Sequence, residues 1–199
     1  MKNKDVENFL TEIKDSIRVK ENISKSKEIL TNLYSLSEMC VKALNTDGKI
    51  IFAGNGGSFA DSQHLAAEFI SRFKMDRDSL ASICLGTNSS VVTAIGNDYG
   101  FDYIFSREFS SVAQKNDVFI PISTSGNSKN IIEAVKMANN LSINTVALTG
   151  KSGGKLKSLC NCIMVPSEET ARIQECHILL GHILCGDVES KLFPQKNPY

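Results

Sequence analysis

Two short apolar segments of this chain end directly in loops of glycine, serine and asparagine, and each loop leads into a helical pattern. The segment at 49–53 runs into Gly-Asn-Gly-Gly-Ser at 54–58, and the segment at 118–122 runs into Ser-Thr-Ser-Gly-Asn-Ser at 123–128. Free N–H groups and the dipole at a helix N-terminus favour an anion, glycines let the backbone approach it, and hydroxyls add donors. The pair of loops predicts a phosphate site, whereas one loop alone is equally a turn with a helix cap.

The same alternation of short apolar runs and helical patterns continues along the chain and predicts the fold class. Strands are expected at 49–53, 81–85, 118–122, 144–148 and 162–165. Helices are expected at 59–73, at 131–141 and at 168–192, and a further helix is expected to end at residue 95. This order is typical of an α/β protein with a five-stranded parallel sheet covered by helices on both faces, a flavodoxin-like three-layer sandwich. We find no repeat or linker and expect a single domain over 1–199, with the α/β core and C-terminal helix over 48–192.

The segment before the sheet, 1–47, has apolar residues at helical spacing and predicts an N-terminal helical arm. Its early part, with Phe9, Leu10, Ile13 and Ile17, is thinly apolar for a core helix. Such an arm either packs on a second subunit or is a loose surface helix.

Charge and cysteine content exclude several classes of protein. The 22 Lys and Arg residues balance 22 Asp and Glu residues, so the chain lacks the electrostatic footprint for nucleic acid or an acidic membrane. No apolar stretch approaches the ~20 residues that span a bilayer. The charged N-terminal residues lack the apolar region of a signal peptide, so we expect a cytoplasmic protein. The six cysteines form no CxxC, which favours small buried side chains in a reducing compartment over a disulfide or zinc framework.

Nucleotide-binding motifs fail when they are tested against the loops. The loop at 54–59 has Phe59 where a third dinucleotide-type glycine is expected, and the segment Gly153-Gly154-Lys155-Leu156 lacks the Ser/Thr and upstream glycine of a P-loop. A sugar phosphate or free phosphoryl group is therefore favoured over ATP or NAD.

Four motifs in chain order resemble those of a known family. They are Gly54-Asn55-Gly56-Gly57-Ser58, Thr93-Ala94-Ile95-Gly96-Asn97-Asp98-Tyr99-Gly100, Ser123-Thr124-Ser125-Gly126-Asn127-Ser128 and Ala171-Arg172-Ile173-Gln174-Glu175. Over about residues 30–190 the chain resembles the phosphoheptose isomerase (sedoheptulose 7-phosphate isomerase) family of SIS domains. The resemblance implies a homotetramer that isomerises sedoheptulose 7-phosphate to D-glycero-D-manno-heptose 7-phosphate. That reaction starts the synthesis of ADP- or GDP-heptose for lipopolysaccharide core or capsule.

His64 and Glu68 lie four residues apart in a predicted helix and so share one face. Spacing alone leaves a plain surface pair open. The resemblance implies one zinc ion per subunit, catalytic or structural, held by His64, Glu68, Gln174 and His182. Two imidazoles, a carboxylate and an amide oxygen suit a borderline-soft dication. His177 matches no ligand position, and we expect it to be packed in the interior or beside a ligand.

The implied reaction needs a base that removes a carbon-bound proton next to the carbonyl and returns it to the neighbouring carbon. Glu68 is the expected base, although a glutamate firmly bound to zinc is a poorer one. His182 is the expected second acid/base, which moves protons between the two oxygens, because imidazole titrates near the working pH. Zinc could polarise the carbonyl oxygen.

The resemblance also implies a set of substrate-binding residues from the loops, an Asn-Asp pair and two of the metal ligands: Asn55, Gly56, Gly57, Ser58, Glu68, Asn97, Asp98, Ser123, Thr124, Ser125, Ser128 and Gln174. The hydroxyls would contact phosphate and sugar oxygens. Without the family match, Asp98 is equally a turn residue. Arg172 is either a phosphate clamp or a partner in a structural salt bridge. Some relatives have an acidic residue in place of Ala171, and Thr170 or Glu169 is a candidate substitute.

Two non-enzymatic alternatives share the SIS fold. Replication-initiator-associating proteins resemble this chain in the Ala-Arg-Ile-Gln-Glu segment and in the ending at 185–194, but they typically lack the counterparts of Glu68 and His182. Because this chain retains both, the enzyme is favoured. The second alternative, a regulatory module that senses a sugar phosphate, is weaker because no DNA-binding segment precedes the domain.

Gln174 and His182 are eight residues apart in one predicted helix, which separates them by about 12 Å along the axis and about 80° around it. Two side chains of one straight helix would strain to reach a single zinc ion. Either the helix begins irregularly near Gln174 or the active site lies at a subunit interface and takes ligands from more than one chain; we favour the second.

Overall fold

The computed structural model describes residues 3–196, which form a parallel sheet between two layers of helices. The strands are β1 (Ile50–Gly54), β2 (Ser82–Cys84), β3 (Val118–Ser123), β4 (Asn144–Thr149) and β5 (Asn161–Met164). The helices are α1 (Asn3–Lys25), α2 (Lys27–Leu44), α3 (Gly57–Ile70), α4 (Ser89–Asp98), α5 (Ile104–Val112), α6 (Lys129–Asn140) and α7 (Thr170–Leu192). The strand order β2-β1-β3-β4-β5, with every pair parallel, confirms the predicted flavodoxin-like sheet.

β1 and β3 are buried on both faces, and their alternate residues enter two separate cores. In β1, Ile50 and Phe52 pack with α2, α3 and α7, whereas Ile51 and Ala53 pack with α5 and α6. Because both faces are covered, the strands appear in the sequence as continuous apolar runs rather than as alternating patterns.

The N-terminal arm is two helices that break at Ser26, whose hydroxyl accepts a hydrogen bond from the Ile29 N–H and so caps α2. The second half of α1 is anchored, with Val19 and Ile23 buried. Its first half presents an apolar stripe to solvent, including Phe9 at 65% and Ile13 at 57% exposure. An unpartnered stripe of this kind is consistent with an arm that packs on a second subunit.

Three helices differ from the sequence-based expectation. The helix after the first loop covers Gly57–Ile70 rather than 59–73, because the Arg77 side chain donates to the carbonyls of Glu68 and Phe69 and so terminates α3. α4 continues to Asp98 rather than ending at 95. α5, with Phe105 and Phe109 buried against the sheet, was not predicted, since its nine residues carry only a short apolar pattern.

All six cysteines lie in the described residues as free thiols: Cys40, Cys84, Cys176 and Cys185 are buried, and Cys160 and Cys162 are partly exposed. Within residues 3–196, no helix has the length and apolar character needed to cross a membrane.

Candidate functional site

The two loops singled out in the sequence lie side by side, because β1 and β3 are neighbours in the sheet. The Asn55 and Asn130 side chains bridge them, each amide nitrogen donating to the other's oxygen at 2.9 Å. In a flavodoxin-like sheet, ligands bind at this point, where the strand order reverses. The reciprocal pair fixes the spacing of the N-termini of α3 and α6.

A third loop, after β4, supports the loop after β3 through close backbone contact. The Gly150 N–H donates to the Thr124 carbonyl at 2.9 Å, and a side chain at Gly126 would lie 2.1 Å from the Gly153 carbonyl oxygen. Gly126 also has a φ of +63°, which favours glycine. Only glycine permits this approach, so the loop conformation is set by packing rather than by a ligand.

The predicted hydroxyl donors are distributed between the interior and the surface of these loops. Ser123 and Ser58 are buried, while Ser125 is exposed. The Ser123 and Ser128 hydroxyl oxygens are 3.1 Å apart, and the Ser125 hydroxyl accepts from the Asn127 N–H. The structure therefore brings Ser123, Thr124, Ser125 and Ser128 together on one loop ahead of α6.

Three ionisable side chains meet on the face shared by α3 and α7. His64 Nε2 lies 2.9 Å from His182 Nε2 and 3.2 Å from Glu68 Oε1. The His64 side chain is 49% exposed and that of Glu68 is 22% exposed. The cluster is thus open to solvent in a single chain.

Close packing of α3 against α7 brings His64 and Glu68 next to His182. A side chain at Gly181 would lie 2.5 Å from Leu65, so glycine is required for the helices to approach. The Phe73 ring then stacks on the His182 imidazole with centroids 5.4 Å apart. Neither contact could be read from spacing, because each joins residues far apart in sequence.

A buried ion pair fixes the chain segment that carries Phe73. The Glu189 carboxylate accepts from the Phe73 and Lys74 N–H groups and from Arg77 Nε, at 2.8 to 3.0 Å. Both charged side chains of the pair are 1% exposed. The pair therefore joins the end of α3 to α7 next to the cluster.

Two titratable groups at the cluster are perturbed. Burial, and then the adjacent His64, lowers the pKa of His182, while Glu68 opposes the shift. Burial raises the pKa of Asp61 to about 6, against the effect of His64. Asp61 Oδ2 is buried and has no hydrogen-bond partner within the described residues. Sequence reasoning missed Asp61, although its spacing of three and seven residues from His64 and Glu68 places it on the same helix face.

Gln174 lies apart from the other three predicted ligands. Its amide packs on Gly57 at the start of α3, where a side chain on Gly57 would be 2.3 Å from Gln174 Nε2. Gly57 precedes His64 by seven residues, or about 10 Å along the helix. α7 is regular from Thr170 onward, so the irregular start near Gln174 that we considered is not observed.

The remaining candidates have the following positions. Asn97 and Asp98 are exposed at the end of α4, where the Asn97 amide donates to the Asp98 carboxylate at 2.8 Å. Arg172 forms ion pairs with Glu12 of α1 and Glu175, as the salt-bridge alternative predicts. His177 is fully buried, with Nε2 3.1 Å from the Thr149 carbonyl oxygen, and is packed in the interior.

The donor set of the cluster fits zinc. Its three ligand atoms all lie within 4.8 Å of one another. Zinc bonds of about 2.0–2.1 Å in a tetrahedron place ligand atoms roughly 3.3 Å apart. Two imidazole nitrogens and a carboxylate oxygen, with a fourth position open, are the donors found at catalytic zinc sites.

Comparison with known proteins identifies the family. Residues 13–150 match the SIS domain family. The chain is 49% identical over 185 residues to a phosphoheptose isomerase of Aneurinibacillus thermoaerophilus, covering 92% of this chain and 93% of that one. It is 51% identical over 180 residues to phosphoheptose isomerase 2 of Campylobacter jejuni, covering 90% of each.

Solved structures agree with the sequence comparison. A phosphoheptose isomerase from Neisseria gonorrhoeae matches with a TM-score of 0.87 and 42% identity, over 92% of this chain and 98% of that one. One from Francisella tularensis matches with a TM-score of 0.88 and 32% identity, over 94% and 98%.

Proposed function

The chain belongs to the SIS domain family and, within it, to the phosphoheptose isomerases; on that premise we propose that it isomerises sedoheptulose 7-phosphate to D-glycero-D-manno-heptose 7-phosphate. The observation that carries the proposal is a cluster in which His64 and Glu68, on the helix that starts at the first loop, meet His182 of α7. The same chain therefore carries the proposed base, the proposed second acid/base and the proposed phosphate loops.

In this reaction, Glu68 removes the proton from the carbon next to the carbonyl and returns it to the neighbouring carbon. His182 exchanges protons between the two oxygens, because an imidazole can both accept and donate a proton near the working pH. The loop hydroxyls and the N-terminus of α6 hold the phosphate. Bound zinc, held by His64, Glu68 and His182, would supply Lewis-acid polarisation of a substrate oxygen.

The active site is proposed to lie at a subunit interface of a homotetramer, with Gln174 of one chain completing the zinc site of another. Within one chain, Gln174 is about two helical turns from His182, and the two side chains would strain to reach a single zinc ion. The cluster is open to solvent, and exposed apolar residues such as Ile183 of α7 and Phe9 of α1 lie on the faces available for assembly. A neighbouring chain would close the site and exclude water.

The proposed activity is tested by incubating the purified protein with sedoheptulose 7-phosphate and with unphosphorylated sedoheptulose. We expect turnover of the phosphorylated ketose only, because two loops are built for an anion. Comparable turnover of both sugars would show that the loops do not bind phosphate productively. No turnover, together with capture of the replication initiator in a pull-down, would instead support the non-catalytic alternative.

The shared site is tested by mixing subunits. An inactive Glu68→Gln chain is co-refolded with an inactive Gln174→Ala chain. If Gln174 reaches the neighbour's cluster, some interfaces in mixed tetramers carry both native residues and activity returns. If the chains demonstrably exchange and activity stays absent, each site takes both residues from one chain.

The pathway is proposed as synthesis of nucleotide-activated heptose in the cytoplasm, for lipopolysaccharide core or capsule. The genes beside this one distinguish the two nucleotides. An adenylyltransferase neighbour would indicate ADP-heptose, and a guanylyltransferase neighbour would indicate GDP-heptose.

A further inference from the structure

Two cysteines lie together at the start of β5, on the opposite side of β4 from the substrate loop that follows β3. Cys160 immediately precedes the strand and Cys162 is its second residue. The Cys162 thiol donates to the Cys160 carbonyl and the Cys160 thiol donates to the Leu156 carbonyl, and both cysteines are partly exposed. The chain's other four cysteines are buried. This pair is therefore a local dithiol that the isomerase chemistry does not use.

The dithiol borders a cavity of about 420 Å³ between β5 and α2. Two methionines, Met39 of α2 and Met164 of β5, also line it. Met164 follows Cys162 by two residues, so both side chains leave the same face of the strand. Four sulfur-bearing side chains thus surround one solvent-accessible space at the edge of the sheet.

The charges at the cavity favour a thiolate. Its charged lining residues are Lys157 and Glu28. The neighbouring Cys160 thiol lowers the pKa of Cys162 against the effect of burial, and Lys157 acts in the same direction as Cys160. Cys162 and burial raise the pKa of Cys160. These effects favour deprotonation of Cys162 over deprotonation of Cys160.

We propose that Cys160 and Cys162 form a binding site for a soft monovalent d¹⁰ cation, Cu(I), with the Met164 thioether as a third donor. Thiolate and thioether sulfurs select Cu(I), whereas the imidazoles and carboxylate between α3 and α7 suit zinc. The step balances as Cu⁺ + 2 RSH → [Cu(SR)₂]⁻ + 2 H⁺, with the protons of Cys160 and Cys162 released to solvent. Lys157 offsets the negative charge of the complex.

The test uses the full-length protein, reduced and kept under argon, with six free thiols confirmed by titration. Cu(I) is offered as a complex with a chromophoric chelator, and transfer to the protein is followed by loss of the chelator's colour. We expect one equivalent per chain and a thiolate-to-copper charge-transfer band in the ultraviolet. Cys160→Ser and Cys162→Ser should each weaken binding by more than about 100-fold, since loss of even an outer-shell partner costs 10–100-fold. Met164→Leu should cause a smaller loss.

Two matched variants make the result specific. Cys84→Ser removes a single buried thiol elsewhere and should leave copper binding unchanged. His64→Ala removes an imidazole of the cluster and should also leave it unchanged. Copper retained in Cys160→Ser, or lost in His64→Ala, would overturn the proposal, as would transfer of less than half an equivalent to the native chain. Because the Cys160 and Cys162 variants should retain isomerase activity, their failure to bind copper would not reflect unfolding.

Discussion

The loop end of the sheet and the face between α3 and α7 are built in different ways. At the loop end, Asn55 pairs with Asn130, the Gly150 N–H with the Thr124 carbonyl, and Ser123 with Ser128, all within one chain. On the helix face, His64 is half exposed, and Gln174 lies two turns from the cluster it is predicted to join.

The two halves of the proposed site therefore depend on different contacts: one on contacts between loops, the other on packing between helices. The proposed phosphate loops are held by contacts that lie within one chain, so a single folded chain has them complete. The cluster of His64, Glu68 and His182 follows from helix packing, and in the proposed tetramer a neighbouring subunit would cover its open side. Substitutions at the loops should therefore weaken the binding of substrate. Substitutions on the helix face should instead reduce turnover or impair assembly.

The largest effect is expected for Glu68→Gln, which keeps the shape of the side chain and removes the base. We expect kcat to fall by about 10²–10⁴-fold, the usual contribution of general base catalysis. Steady-state kinetics and metal analysis on the same sample test this, with Glu133→Gln on α6 as the matched control. A near-normal kcat would eliminate Glu68 as the base, and joint loss of zinc and activity would identify it first as a ligand.

Arg77→Met should be the next most damaging, because it leaves the Glu189 carboxylate buried without its charged partner. Breaking a buried pair from one side costs about 3–5 kcal/mol, whereas Lys136→Met, at the exposed pair with Glu133, should cost less than about 1 kcal/mol. Urea unfolding monitored by circular dichroism measures both. Equal midpoints for the two variants would show that this pair does not hold α3 and α7 together.

His177 connects the two regions, since it lies on α7 and binds the Thr149 carbonyl at the end of β4. Burial lowers the pKa of His177 from 6.5 to about 4. Between pH 6.5 and 4 the unfolded chain binds more protons, so this stabilisation is complete above 6.5 and is lost on acidification, by about 3 kcal/mol in total.

Urea unfolding across this pH range should give a steeper loss of stability for the native chain than for His177→Gln. Taking the difference between the two proteins cancels the carboxylates that titrate in both. Parallel curves would show that His177 is not held neutral in the fold.

Ser123→Ala should have the smallest effect and act at the loop end. Loss of one charge-assisted hydrogen bond to phosphate corresponds to about 1–3 kcal/mol, seen as a rise in KM with little change in kcat. Ser110→Ala, an exposed serine of α5, is the control. An unchanged KM would remove Ser123 from the phosphate site, and a fall in kcat alone would place its role in the reaction itself.

Much of the fold could be predicted because its signals are local. Continuous apolar runs indicated five strands, of which β1 and β3 are buried on both faces, and the Gly-Ser loops marked where those two strands end. The end of α3 was placed wrongly because Arg77, seven residues beyond that helix, terminates it. α5 was missed because its nine-residue pattern is too short to stand out.

The sequence by itself determined the family, the parallel sheet and the composition of the phosphate loops, since these depend on residues that are close together in the chain. Only the tertiary structure decided which distant side chains meet. Glycine at 181 lets α7 approach α3, and this contact brings His182 to His64 while leaving Gln174 beside Gly57. Such contacts join residues more than a hundred positions apart, and no periodicity or spacing along the chain encodes them.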